Sequence, residues 1–296
     1  MLSICIAIHN WNVNRLVKDL RKQALKLDIP FEILLLDDAS DYEYQLKNAH
    51  LDYEEHVTYL QSYVNLGRSL ARNRLAAKAQ YPYLLFLDCD ATVTHRDFLK
   101  KYLSALPAKV VVGGCEYQKR RPKRNCILRW QYGLKREQIP AAVRNEHPNS
   151  AFSAFNFLIE KKVFDQIKFD ESLRGYGHED TLFGLDLMDH QITVKHIDNP
   201  LRHDGIFPTD DFLARTQNAI QNLLAILEMN RQRDALIQSI RLLRTYQKLK
   251  KCRMMWLYRL FYKISKKIIV KNLYSTKPKI RLFDLYKLGY LCEIKR

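Results

Sequence analysis

Two carboxylates, Asp88 and Asp90, stand at the end of the apolar run 84–87. Because side chains alternate along an extended segment, the two acids share one side and Cys89 points the other way, into packing. Neighbouring carboxylates repel each other unless a cation lies between them, and Mg²⁺ or Mn²⁺ held by carboxylates and phosphate oxygens suits such a pair. A solvated strand end is the alternative, since two acids at this spacing are common by chance.

A single histidine, His203, lies in the predicted loop 199–205, where it could fold back over a diphosphate. We select it as a further ligand of the same cation. An imidazole beside carboxylate and phosphate oxygens favours Mn²⁺ over Ca²⁺. A lone histidine is otherwise usually an ordinary surface or core residue.

Two more acids, Glu179 and Asp180, follow the glycine-containing loop 175–178 at the start of a predicted helix. Acids favour the first turn of a helix, so helix capping explains one of the two acids. Capping explains less easily why two acids stand side by side there. A carboxylate held by a rigid helix could serve as a general base toward a hydroxyl group.

A third group of polar residues surrounds the start of another predicted helix. Asp37 and Asp38 end a second apolar run, and Arg68 and Arg72 lie four residues apart after the segment 65–67. Backbone amides at a helix start and a guanidinium could bind a diphosphate or a base. The two arginines could equally form a solvated helix face.

Alternating strands and helices must position these groups. Short apolar runs predict strands, and apolar residues at helical spacing predict helices between them, which favours a mostly parallel sheet. Ligands bind at the carboxyl ends of such strands, where the acids stand. The stretch 115–150 interrupts the alternation, and we interpret it as a partly mobile excursion over the active face. The predicted strands are residues 2–8, 31–36, 57–60, 83–87, 109–112, 154–159 and 192–197, and the predicted helices are 13–27, 66–79, 180–188, 211–228, 231–249 and 253–270.

The net charge of +17 is concentrated at one end of the chain. Residues 241–296 contain 17 Lys and Arg but only Asp284 and Glu293, so they carry +15 of it. The predicted helix 253–270 has apolar residues at helical spacing, interleaved with lysine, arginine and aromatic residues. Such a helix suits an anionic membrane surface. Packing of the apolar stripe on the rest of the protein is the alternative, and nucleic acid is disfavoured because no binding motif accompanies the charge.

The composition also indicates where the protein functions. The six cysteines show no CxxC spacing, so reduced thiols in a cytoplasmic setting fit better than a disulfide framework. The first residues are typical of a strand rather than of a signal peptide. No stretch approaches the roughly 20 consecutive apolar residues that a membrane helix needs. We therefore expect a cytoplasmic protein at the inner face of the cell membrane.

Together these residues resemble the family 2 glycosyltransferases, which are inverting enzymes of the GT-A fold. The resemblance covers residues 2–208. It implies an α/β domain over 1–208, with a Rossmann-like mixed sheet flanked by helices, and leaves 209–296 as a basic helical C-terminal region. The motifs that carry it are Ser3-Ile4-Cys5-Ile6-Ala7-Ile8-His9-Asn10, Leu36-Asp37-Asp38-Ala39-Ser40, Asn65-Leu66-Gly67-Arg68, Asp88-Cys89-Asp90 and Glu179-Asp180.

The resemblance also implies roles for individual residues. Asp180 is the catalytic base, with Glu179 beside it, and Asp90 is the metal ligand. The residues expected to bind the nucleotide are Asn10, Asp38 at the base, Arg68, and Asp88 near the ribose.

A second resemblance concerns residues 175–180, Gly-Tyr-Gly-His-Glu-Asp, which are similar to a motif of the β-1,4-galactosyltransferases. In that family a downstream histidine completes the metal site, as His203 would here. On the sugar side of the site, the candidates for contacts with donor or acceptor are Gly114, Trp130 and Tyr176.

The expected function is therefore transfer of a sugar, dependent on Mn²⁺ or Mg²⁺, from a nucleoside diphosphate to a hydroxyl of a saccharide or lipid-linked acceptor. A UDP-linked donor of the galactose or N-acetylgalactosamine type is expected, in surface polysaccharide or glycan synthesis. A sugar-nucleotide nucleotidyltransferase is the alternative, although the loop 9–12 lacks the glycine-rich, basic signature of that class. A basic binding protein without enzymatic activity would leave the acidic motifs unexplained.

Overall fold

The first strand, β1 (Leu2–Ile8), is apolar and lies between two parallel neighbours in a seven-stranded sheet. The computed structural model describes residues 1–173, 175, 177–229 and 233–295. Helices cover both faces of β1, so its alternate side chains enter two separate apolar clusters. A strand that is buried on both faces is apolar along nearly its whole length, as β1 is apart from Ser3, and this is why β1 is evident from the sequence.

The large sheet has the order β3-β2-β1-β4-β8-β6-β9, and β8 is antiparallel to both of its neighbours, β4 and β6. A second sheet of three short strands has the order β5-β10-β7. The strands are β1, β2 (Phe31–Asp38), β3 (Val57–Ser62), β4 (Tyr83–Asp88), β5 (Ala91–Thr92), β6 (Val110–Val112), β7 (Cys115–Glu116), β8 (Asn156–Glu160), β9 (Lys195–His196) and β10 (Leu201–His203).

Helices connect most of these strands. In α1, for example, the apolar residues Leu16, Val17, Leu20 and Ala24 recur at helical spacing and are all buried. The helices up to residue 205 are α1 (Asn14–Lys26), α2 (Tyr42–Ala49), α3 (Gly67–Lys78), α4 (Phe98–Leu103), α5 (Ile127–Tyr132), α6 (Ala141–Arg144), α7 (Lys161–Ile167) and α8 (Glu179–Asp189).

The described residues after 205 lie mostly in helices. The C-terminal helices are α9 (Thr209–Glu228), α10 (Arg233–Ser239), α11 (Arg241–Lys251), α12 (Met255–Leu273) and α13 (Ile280–Ile294). The prediction of one helix over 231–249 is wrong, because Ile240 has extended backbone angles (φ −103°, ψ 111°) and separates α10 from α11. The break lets each helix bury its own apolar residues, Leu236 in α10 and Leu243 in α11.

The chain forms two compact units. The first contains Met1–Gln118, Glu137–Arg174 and Glu179–Gly205, and therefore both sheets. The second contains Lys119–Arg136, Gly175–His178 and Ile206–Arg296. Its own apolar core joins Leu128 of α5 and Phe212 of α9 to Tyr262 of α12 and Phe283 of α13. The stretch 115–150 forms short helical segments and is divided between the two units.

Candidate active site

The carboxyl ends of β1, β2 and β4 meet at one edge of the sheet. Ile8 on β1 lies opposite Asp37 on β2, and Ala7 lies opposite Asp88 on β4. The parallel register thus brings the two acidic strand ends to either side of the end of β1. This edge is where open α/β sheets bind their ligands.

Arg72 of α3 lies at the centre of a charged cluster beside this edge. Its Nη2 is 2.7 Å from Asp88 Oδ1, and its Nη1 is 3.6 Å from Glu179 Oε1. Arg68, one turn earlier, places its Nη1 3.7 Å from Glu179 Oε1 and 4.0 Å from Asp88 Oδ2. Residues from α3, β4 and α8 therefore form a single ion-pair network.

The two arginines differ in exposure. Arg68 is 42% exposed, whereas Arg72 is 5% exposed and its guanidinium lies 5.2 Å from the centre of the Phe169 ring. For Arg72 the interpretation as part of a solvated helix face is wrong, because α3 packs this side against the sheet. Sequence reasoning did not select Arg72 as a site residue, and the signal available was its position four residues after Arg68.

Asp180 follows Glu179 in the first turn of α8 and is partly exposed. Burial and the adjacent Glu179 charge raise the pKa of Asp180 to about 7, while the Thr181 N–H and the charges of Arg72 and Arg68 oppose the increase. Thr181 donates its backbone N–H to Asp180 Oδ1 at 2.7 Å. A carboxylate with a pKa near neutrality is suited to accept a proton at physiological pH.

Asp90 and His203 come together through the small sheet. Asp90 directly precedes β5, and His203 at the end of β10 pairs with Ala91 of β5. His203 Nδ1 lies 3.9 Å from Asp90 Oδ2 and accepts a hydrogen bond from the Gly205 N–H at 3.1 Å. The imidazole is stacked between the rings of Tyr117 and Phe155, at centroid distances of 5.5 and 4.9 Å.

This pair fits a divalent cation. Within the described part of the chain, Asp90 Oδ1 is buried and has no hydrogen-bond partner, so the carboxylate retains an oxygen for a ligand. No group of three or more His, Cys, Asp or Glu side chains arranged for a metal occurs among the described residues. Mg²⁺ and Mn²⁺ sites commonly combine one or two protein ligands with water and substrate phosphates, so two ligands are compatible with such a site.

Gly205 is a site residue that sequence reasoning did not select. A Cβ at this position would overlap Asp90 Oδ2 and crowd the His203 ring. The absence of a side chain therefore leaves room for both candidate ligands. Nothing in the sequence distinguishes this glycine from one in an ordinary loop.

Asp38 joins the end of β2 to the start of α3, and Asn10 joins the loops that follow β1 and β2. Asp38 is buried, and its two oxygens accept the N–H groups of Leu66 at 2.5 Å and Gly67 at 3.0 Å. Asn10 donates its side-chain amide to Asp41 at 3.0 Å and accepts the Asp41 N–H at 2.7 Å. Both residues thus lie at the carboxyl edge and shape it, and their contact with a nucleotide stays a prediction.

The three candidates for the sugar side lie in different parts of the chain. Gly114 is in the first unit, has a φ of 89°, and would place a Cβ 2.7 Å from Arg144 Nη2. Trp130 belongs to α5 in the second unit. Tyr176 lies outside the described residues. Their roles stay predictions.

Comparison with known proteins identifies the fold. The mannosyltransferase PcManGT from Pyrobaculum calidifontis, solved with GDP-Man and Mn²⁺, superposes with a TM-score of 0.53 and 14% identity. The match covers 77% of this chain and 64% of that protein, so the chain spans less than two thirds of its length. TarS 1–349 of S. aureus gives a TM-score of 0.52 at 16% identity, covering 99% of this chain and 88% of that one.

Both structures are glycosyltransferases of the GT-A type, so the predicted fold class is confirmed. No curated protein sequence matches the chain. The sequence model of the family described as Glycosyl transferase family 2 matches residues 3–168, which is more than half of the chain. The acidic strand ends of the carboxyl edge lie within that region, and the chain belongs to glycosyl transferase family 2.

Proposed function

We propose that this glycosyltransferase transfers a sugar with inversion at the anomeric carbon, from a nucleoside diphosphate to an acceptor hydroxyl. The observation that supports this best is the convergence of Asp88, from the end of β4, and Glu179, from α8, on the buried Arg72. That network fixes the start of α8, where Asp180 lies, beside the strand ends. A base held in this way can act from the acceptor side without rearrangement of the helix.

In the proposed step the acceptor oxygen attacks the anomeric carbon as the bond from that carbon to the phosphate oxygen breaks. The hydroxyl proton passes to Asp180, and the electron pair of the broken bond leaves with the nucleoside diphosphate. Arg68, which is 42% exposed at the rim of the network, is the proposed contact of the leaving diphosphate. This direct displacement inverts the anomeric configuration.

Asp90 and His203 would hold the divalent cation. Mn²⁺ or Mg²⁺ bound there would neutralise the negative charge that develops on the leaving diphosphate. The mannosyltransferase with the similar fold was solved with GDP-Man and Mn²⁺, which supports a metal and a nucleotide sugar for this chain. Asn10, Asp38 and Asp88 are the proposed nucleotide contacts.

The donor, acceptor and location are more specific parts of the proposal. The similarity of residues 175–180 to the β-1,4-galactosyltransferase motif favours a UDP-linked donor of the galactose or N-acetylgalactosamine type. We propose a saccharide or lipid-linked acceptor in surface polysaccharide or glycan synthesis. The +15 charge of residues 241–296 supports action at the anionic, cytoplasmic face of the cell membrane.

A donor panel tests this function. UDP-, GDP- and dTDP-linked sugars would each be assayed for thermal stabilisation of the protein and for slow hydrolysis, with Mn²⁺ and with EDTA. One class of donor should stabilise the protein only with the metal. NMR of the glycoside formed on an added acceptor saccharide should show an inverted anomeric configuration, which a free sugar released by hydrolysis would lose by mutarotation. A product with retained configuration, or equal stabilisation in EDTA, would contradict the mechanism.

A further inference from the structure

The helix α12 presents an exposed apolar face, which we call the outward face. Trp256 is 68% exposed, and Ile264 and Ile268 are each 72% exposed. Fully apolar side chains at such exposure are unusual when they form one continuous row. The members of the outward face are Trp256, Leu257, Leu260, Phe261, Ile264 and Ile268.

The opposite side of α12 fixes this orientation. Tyr262 and Ile269 are each 2% exposed and enter the core of the second unit. Gly289 of α13 allows the close approach, because a Cβ there would overlap the Tyr262 ring. Arg259 donates to the carbonyl oxygen of Cys292 at 3.1 Å, and Lys266 forms an ion pair with Glu293 at 2.9 Å. The helix cannot rotate its apolar row inward without breaking these contacts.

Lysines lie along one border of the outward face. Lys263, Lys267 and Lys271 are exposed and recur every four residues, so they form a row on one side of the helix. The helix contains no Asp or Glu. An apolar face bordered by cations therefore faces solvent on an element that is firmly held on its other side.

We propose that the outward face of α12 is a membrane-docking surface, which lies in the plane of an anionic lipid bilayer. The apolar side chains would enter the boundary between headgroups and acyl chains, with Trp256 at the interface and the lysine row on the lipid phosphates. No helix in the described part of the chain has the length and apolar content to span a bilayer, so the helix would lie on the membrane.

Charge complementarity selects lipid over a second copy of the chain. A symmetric contact between two α12 helices would bring two rows of lysines together, in a region that already carries +15. Anionic headgroups would neutralise the same lysines. The inference rests on the proposed function in one respect, because that function locates the acceptor at the membrane.

Co-sedimentation of the full-length protein with vesicles tests the inference. Vesicles of phosphatidylcholine with about 30% phosphatidylglycerol should bind the protein, and pure phosphatidylcholine should bind it far more weakly. Binding should weaken as salt is raised, because screening lengths shrink to about 8 Å at physiological ionic strength. A full-length protein that ignores anionic vesicles at low salt would overturn the proposal.

Two variants with matched controls locate the surface. Lys263→Gln/Lys267→Gln should lower vesicle binding about tenfold or more, whereas Lys22→Gln/Lys26→Gln, an exposed pair with the same spacing on α1, should leave it unchanged. Leu260→Gln/Ile264→Gln should have an effect at least as large. Its control is Leu25→Gln/Leu46→Gln, two leucines that are 49% and 59% exposed on α1 and α2.

The other outcomes separate the competing explanations. If the α12 variants bind vesicles like their controls, the outward face is not the docking surface. A wild-type dimer that the Leu260/Ile264 variant converts to a monomer, with vesicle binding unchanged, would instead assign the face to a second copy. Calorimetric measurement of donor binding in the absence of vesicles tests the proposed catalytic function separately. Failure of the docking proposal can therefore be distinguished from failure of the proposed function.

Discussion

At the scale of single residues, Asp180 combines a half-buried carboxyl group with a charged neighbour. Burial first, and Glu179 second, raise its pKa to about 7. The arginines of α3 limit this increase, since both Arg72 and Arg68 favour the ionised form. The result is a carboxylate that is a better proton acceptor than an ordinary one and is still largely ionised slightly above neutral pH.

We predict that Asp180→Asn lowers turnover by about 10²–10⁴ while donor affinity stays near that of the wild type. The amide keeps the shape of the side chain and removes its basicity. Steady-state kinetics with a saturating donor, together with calorimetric donor binding, measure the two effects. Asp165→Asn, at an exposed acid of α7, is the matched control and should retain full activity.

The same prediction includes a pH profile. An acid with a raised pKa is mostly in its basic form only above that pKa, so wild-type kcat/KM should increase with pH, reach half of its maximum near pH 7 and level off at higher pH. Glu179, Arg68 and Arg72 are the charged groups that act on this titration. The residual activity of Asp180→Asn should lack the transition near neutrality. Normal turnover, or an unchanged profile in the variant, would exclude Asp180 as the base.

At the scale of secondary-structure elements, the short strand β10 brings the two candidate metal ligands together. It carries His203 to β5, and the chain then turns at Gly205 so that Asp90 Oδ2 and the imidazole fit beside the backbone. A side chain at residue 205 must displace one of the two candidate ligands. The geometry of the candidate cation site therefore depends on Gly205, which has no side chain to bind a cation.

We predict that Gly205→Ala weakens Mn²⁺-dependent nucleotide binding at least tenfold, to about the level of Asp90→Ala, because the added Cβ displaces a candidate metal ligand. A tenfold loss of affinity corresponds to about 1.4 kcal/mol of binding free energy. Calorimetry with nucleotide, with and without Mn²⁺, measures the loss. Thermal melting should show that the fold is kept. Unchanged Mn²⁺-dependent affinity in both variants would show that the cation lies elsewhere.

The helix α3 supplies the second element-scale test. Arg72 pairs with two carboxylates that lie on β4 and α8, so its removal leaves both in a largely buried setting without their main cation. We predict that Arg72→Met lowers the free energy of unfolding by about 3–5 kcal/mol, measured with urea.

The exposed Arg74 on the same helix gives a matched control for that measurement. Arg74→Met should change the free energy of unfolding by no more than about 0.5 kcal/mol. Equal stability of the two variants would show that the Arg72 network contributes nothing to the fold.

At the scale of the whole molecule, the C-terminal helices supply the core of the second unit. Tyr262 and Leu273 of α12 and Phe283 of α13 pack with Leu128 of α5 and Phe212 of α9. A truncation after Leu249 would therefore expose apolar residues of α5 and α9. It would not simply remove a membrane anchor, and substitutions on the outward face are the better test of docking.

We predict that this truncation unfolds what remains of the second unit. Proteolysis should cut within residues 206–249 and 119–136 more readily than in the full-length protein, because their apolar partners have been deleted. The helical circular dichroism signal should fall by more than the deleted residues contribute to it in the full-length protein. A truncated protein that is as resistant as the full chain would show that the C-terminal helices are not needed for this core.

Several features follow from the sequence alone. Apolar runs of strand length that end in acids, and apolar residues at helical spacing, predicted β1, β2, β4 and α1 within a few residues of their bounds. The resemblance of the motifs to family 2 glycosyltransferases predicted the GT-A fold class and the family, which the comparisons confirm. These features are local, because the periodicity of a segment encodes both its conformation and the side that it buries.

Other features were decided by tertiary structure. The burial of Arg72 depends on which helix face meets the sheet, and the approach of His203 to Asp90 depends on the pairing of β10 with β5. In α12 apolar residues occur on two sides, so the sequence could not tell whether Tyr262 or Ile264 faces the core. The physical reason is common to all three: contacts between distant segments depend on how elements pack, and local periodicity carries no information about the partner.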